Sequence, residues 1–181
     1  MKIILGIVFF LLLFLLSPSA VYSEEVVSGA SAQVYDTSMN KSERKSLIKK
    51  QFVIKKMLEK HRSPLVIAVD DFIEACQKYN LDCYLLPSIS GLESTFGKFI
   101  YPASFNPFGW DGGSMLFPSW REGILTVAQG LRENYINKGA QTIEQIAPIY
   151  AESPTWAERV SYFMDQFSNE EYKIELFLDA T

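Results

Sequence analysis

A chain of 181 residues with 48% hydrophobic content has material for one compact domain and a short appendage, and too little for two ordinary domains. The net charge is −4, but residues 41–62 hold nine Lys/Arg against two acids, while residues 63–181 hold seven against sixteen. An acidic domain behind a basic stem argues against nucleic acid as a partner. One histidine and two cysteines leave no ligand set for a structural zinc site, and no metal or cofactor constellation is present.

In chain order, Lys2 precedes an apolar run, Ile3 to Leu16, shorter than the roughly 20 residues of a spanning helix. Ser17, Ser19 and Ala20 follow. This order reads as a secretory signal over residues 1–23, cleaved after Ala20 or Ser23. The alternative is an uncleaved transmembrane anchor reaching about Val27. Either reading places the remainder outside the cytoplasm, secreted or held at the cytoplasmic membrane. Residues 24–42 read as a polar linker. In residues 43–62, Ile48, Phe52, Met57 and Leu58 recur near helical spacing among lysines. Such a basic amphipathic helix either contacts membrane lipid or anionic wall polymer, or packs on the acidic domain with its lysines solvated.

The domain proper spans 63–181. Ser63-Pro64 opens a helix with a core face of Leu65, Val69, Phe72, Ile73 and Cys76. Cys76 and Cys83 form either one short-range disulfide or two buried thiols. A second helix starts near Tyr84 and carries the stripe Leu85, Ile89, Leu92 and Phe96. Gly97 to Pro118 is rich in Gly, Pro, Asn and aromatics, with no helical period, and predicts an irregular or β-hairpin lobe. Ser119 with Glu122 forms a capping box ahead of Trp120, Ile124, Val127, Leu131 and Tyr135. A short helix from Thr142 to Ala147 follows. Ser153-Pro154 launches the last long helix, with Trp156, Val160, Phe163 and Phe167 on its apolar face. His61, the single histidine, reads as a surface residue.

Glu93 is the candidate for chemistry. On its helix it lies one step round from the core stripe, with small neighbours Ser90 and Gly97 on its face. Partial desolvation there favours the protonated carboxyl, and glycosidic cleavage needs a proton on the leaving oxygen. The competing reading is a boundary glutamate paired with Lys98 or Arg121.

Leu85 to Lys98, containing Glu93-Ser94-Thr95-Phe96-Gly97-Lys98, followed by Asn106-Pro107-Phe108-Gly109-Trp110, resembles the peptidoglycan glucosaminidase family. That family, labelled mannosyl-glycoprotein endo-β-N-acetylglucosaminidase-like, belongs to the lysozyme-like superfamily. Phe117 to Ile124 and Tyr150-Ala151-Glu152-Ser153-Pro154-Thr155-Trp156-Ala157 fit in the same order, so the resemblance spans about residues 63–168. It implies a mainly α, lysozyme-like domain that, as a monomer, cuts β-1,4 bonds of peptidoglycan glycan strands without a cofactor. It implies Glu93 as the catalytic acid and Tyr150 near the reacting sugar. Ser94, Asn106, Phe108 and Gly109 fall on its substrate-binding segments. Phe108 and Trp120 also suit a core. Trp110 suits stacking on a pyranose face. Asp111 is the first acid after Glu93, and reads either as the second catalytic carboxylate or as part of an Asp-Gly turn. Without a second acid, the substrate's N-acetyl group becomes the nucleophile, a route open to hydrolases and lytic transglycosylases alike. A catalytically inactive wall-binding module is the third alternative.

Overall fold

The computed structural model describes residues 39–179, and six α-helices dominate them. The export segment 1–23 and the linker up to residue 38 lie outside the described residues. Helix α1 (Lys41–Lys60) starts two residues earlier than the sequence suggests, because Asn40 is its N-cap. The Asn40 side chain accepts the Glu43 N–H at 2.9 Å, and the Glu43 carboxylate accepts the Asn40 N–H at 3.1 Å.

Ser63 then accepts the Leu65 N–H, and Pro64 opens a 3₁₀ turn, Pro64–Ala68, that leads into α2 (Val69–Lys78). Helix α3 (Leu85–Ser94) begins after Tyr84, so Pro87 falls in its first turn, where no intrahelical N–H partner is required. Cys76 and Cys83 are bridged, which ties α2 to the approach of α3. Helix α4 (Trp120–Gly130) runs on through a π turn, Leu131–Tyr135, and a 3₁₀ turn, Ile136–Lys138, before Gly139 reverses the chain at φ 105°. Helix α5 (Ile143–Tyr150) carries the expected Thr142–Gln145 box, and α6 (Trp156–Asp179) closes the domain.

The core follows the apolar stripes. Helix α3 packs chiefly on α6, α2 on α4, and α1 on α2 and α6. Phe72, Ile89, Ile124, Val127, Leu131, Val160 and Phe167 are fully buried. Phe96 belongs to this core but not to a helix. Thr95 and Phe96 take left-handed backbone, φ 52° and 58°, and fold the Phe96 ring back over Gly91. A methyl at 91 would stand 2.8 Å from that ring, so the helix needs a glycine there. His61 is not a plain surface residue, for its ring lies 4.5 Å from that of Phe96.

Three expectations are corrected. No β-strand occurs among the described residues, so residues 97–118 form no hairpin or β lobe. Seven residues there have positive φ (Gly97, Ala103, Phe105, Gly109, Asp111, Gly112 and Gly113), and such a chain cannot run the extended pairs that a hairpin requires. Nor is any helix among the described residues long and apolar enough to cross a membrane. The transmembrane helix and membrane anchoring thus find no support, and the apolar run they were placed on lies outside the described residues. Finally, the lysines of α1 are not all solvated. Lys50 and Lys56 reach Glu171 and Glu170 of α6 at 3.2 and 2.5 Å, and Lys49 pairs with Glu171 and Glu175. The basic stem therefore neutralises the acidic last helix of its own domain.

Candidate active site

Glu93 occupies the penultimate position of α3, where the helix is about to end in the left-handed turn. Its side chain is exposed, so the desolvated setting read from the sequence is not what the fold provides. Nor is it in an ion pair among the described residues. Lys98 donates to the His61 carbonyl, and Arg121 is clamped between Asp71 and Glu74 at 2.8 and 2.5 Å. What holds Glu93 is Trp156, the first residue of α6, whose indole N–H donates to Glu93 Oε1 at 2.7 Å. Trp156 is only 2% exposed. A buried indole has a single donor to satisfy, and Glu93 satisfies it.

The other carboxyl oxygen faces Gly109. A Cβ at 109 would come 3.4 Å from Glu93 Oε2, and the glycine sits at φ 65°. The left-handed conformation favours glycine there, and a Cβ would only just touch the carboxylate. Tyr150, at the end of α5, donates its hydroxyl to the Phe108 carbonyl at 2.8 Å and stacks on Trp156 with centroids 4.7 Å apart. Burial pushes the Tyr150 phenol well above its ordinary value, and the charge of Glu93 pushes the same way. Tyr150 therefore works as a neutral hydroxyl, not as a phenolate.

Beside this group lies a cleft of about 480 Å³, lined by Gly109, Trp110, Asp111, Gly112, Met115, Tyr135 and Tyr150. Trp110, Tyr135 and Tyr150 form an aromatic wall with centroids 5.8 to 6.2 Å apart. Trp110 can lie against α4 only because residue 130 is glycine, where a methyl would meet its ring at 2.6 Å. The π turn widens α4 just where Tyr135 joins the wall, as π turns often do at working surfaces.

The remaining sequence candidates divide. Asp111 lines the cleft but is exposed, left-handed at φ 53°, and bonded through its carbonyl to the Ser114 hydroxyl, which makes it a turn residue. Ser94, Asn106 and Phe108 are buried at 3%, 4% and 0%, and serve the loop. The Asn106 amide donates to the Trp110 and Met115 carbonyls and accepts the Trp110 N–H. The Ser94 hydroxyl lies 2.7 Å from the Pro107 carbonyl and accepts the Gly97 N–H, so it locks the end of α3 to the loop carrying Gly109. These two side chains hold the site in shape and do not face it.

Sequence reasoning missed Trp156 and Tyr135 as parts of the site, placing both on core faces. The signal for Trp156 was present in its chemistry, since a tryptophan at an apolar helix start still needs an acceptor. No family model matches the chain, and no curated protein matches it in sequence.

Proposed function

We propose that this chain is a glycoside hydrolase of the endo-β-N-acetylglucosaminidase type, cutting the β-1,4 bond of peptidoglycan glycan strands with a mainly α-helical domain. The observation that supports it best is Glu93, held by the Trp156 N–H, next to Gly109 of an aromatic-walled cleft and free of any ion pair among the described residues. Aromatic rings suit the C–H faces of pyranoses, and one carboxyl oriented beside them suits protonation of a leaving oxygen.

On this reading the two carboxyl oxygens have different roles. Oε1 accepts the indole N–H, so the transferable proton belongs on Oε2, which faces the Gly109 backbone. A saccharide lying over the cleft would supply the desolvation that the exposed carboxyl lacks when the cleft is empty. Tyr150, neutral and stacked on Trp156, keeps the indole in line and offers a hydroxyl near the reacting sugar.

Among the described residues Asp111 is the only carboxylate lining the cleft; its backbone is held in a turn and its carboxylate lies 3.4 Å from the Ser114 hydroxyl. The substrate's acetamido oxygen is then the better nucleophile. It attacks the anomeric carbon as the glycosidic oxygen takes the Glu93 proton, and the leaving sugar departs as an alcohol. Water then opens the resulting oxazolinium and returns a proton to Glu93. The test is digestion of purified peptidoglycan with mass spectrometry of the ends. Reducing N-acetylglucosamine ends are expected, and Glu93→Gln should abolish them. Anhydro-muramic ends would make the protein a lytic transglycosylase. Undiminished lysis by the Gln variant would remove Glu93 from the chemistry, and glycan binding without any cleavage would make it a binding module.

A further inference from the structure

A second hollow, of about 720 Å³, is lined by Tyr101, Gly112, Gly113, Ser114 and Leu116. It shares Gly112 with the cleft beside Glu93, so the two hollows adjoin at the 110–113 turn. Tyr101 and Leu116, 68% and 63% exposed, both stand on its lining. The Tyr101 hydroxyl has no hydrogen-bond partner among the described residues, and its ring meets no other aromatic ring. Yet the backbone beneath it is tied down. Ser104 N–H bonds to the Tyr101 carbonyl at 3.0 Å and Phe117 N–H to the Ser104 carbonyl at 2.8 Å, while Asn106 holds the Met115 carbonyl. Gly112 and Gly113 leave the floor bare, since a Cβ on either would meet nothing within 4 Å.

The lining has chemical character. Among the described residues no charged one borders the second hollow, which makes it a poor match for a phosphate, a nucleic acid or a charged peptide. A rigidly mounted tyrosine with a free hydroxyl, an apolar neighbour and a serine suits a neutral ring with one C–H face and a rim of hydroxyls. We propose that this hollow is a remote saccharide subsite, occupied by a sugar of the same glycan strand whose bond is cut beside Glu93. The inference rests on the function proposed above and deepens it: the enzyme prefers long strands, because a sugar on Tyr101 adds binding that the chemistry at Glu93 can use.

The experiment compares β-1,4-linked N-acetylglucosamine oligomers of two to six units with peptide-free glycan strands, for the parent, Tyr101→Ala and Tyr101→Trp. For the parent, kcat/KM should rise with chain length. Tyr101→Ala should lose about tenfold on strands and hexamer, the size of one aromatic stack, and nothing on the shortest oligomer cut. Tyr101→Trp should retain the parent's length dependence. Equal losses at every length, or none, would overturn the subsite. In parallel, hexamer binding is titrated by NMR in Glu93→Gln protein with and without Tyr101→Ala. If the parent cuts no glycan at all, the hydrolase reading fails separately. A tenfold weaker hexamer complex in the Tyr101→Ala protein would then still support the subsite, and unchanged or absent binding would refute it.

Discussion

Replacing Trp156 with phenylalanine separates positioning of the acid from packing of the wall. The phenyl ring keeps a face for Tyr150, now stacked at 4.7 Å, but removes the only donor to Glu93 Oε1 among the described residues. A hydrogen bond to a charged group contributes about 1.5–3 kcal/mol, and its loss releases the carboxyl to other rotamers pointing into water. If that orientation matters only as the proton is transferred, kcat should fall roughly ten- to hundredfold while KM stays within about twofold. Loss of the indole volume from a residue 2% exposed should also lower stability by about 1–2 kcal/mol. Rates from solubilised glycan strands, taken at 25 °C well below the variant's melting temperature, keep the two effects apart. A folded Trp156→Phe protein with a parental kcat would show that the indole–carboxylate contact has no part in catalysis.

Two further outcomes follow from the packing. Gly130→Ala gains helix propensity, up to about 1 kcal/mol, but its methyl lands on the Trp110 ring at 2.6 Å. Stability should therefore change little while glycan cleavage drops and Trp110 fluorescence shifts; unaltered cleavage would mean that the ring does not shape the cleft. Acid should loosen the α1–α6 contact. Glu171 is partly buried, which alone would raise its pKa, yet the Tyr84 hydroxyl and the Lys50 and Lys49 charges bring it below its ordinary 4.5. Its contribution is thus complete at neutral pH and is lost as pH falls through the depressed value. In thermal melts, Glu171→Gln should melt lower at neutrality and show a flatter decline below about pH 4.5. A decline parallel to the parent's would exclude Glu171 as a source of the acid sensitivity.

Helix starts were legible from residues alone because capping acts within one turn. Ser63, Ser119 and Thr142 accept the N–H groups that their spacing predicts. The apolar stripes of α2, α4 and α6 were equally legible, since helical period and burial are two faces of one geometry. The lobe was not. A stretch of Gly, Asn and aromatics has no period, and whether it pairs as strands or coils depends on left-handed residues such as Ala103 and Phe105, whose side chains advertise no such preference. Asn106 likewise carries no mark that separates an amide facing sugar from one spent on the Trp110 and Met115 carbonyls.

The chain by itself determined six helices, the caps at Ser63, Ser119 and Thr142, and the position of Glu93 at the end of one helix, because those depend on neighbours three or four residues away. Tertiary structure decided what surrounds that carboxyl. Trp156 is 63 residues from Glu93, and Lys50 is 121 from Glu171, so neither contact exists until α6 docks across α3 and α1. That docking is set by how apolar stripes interlock over the core, a condition that no local spacing rule contains.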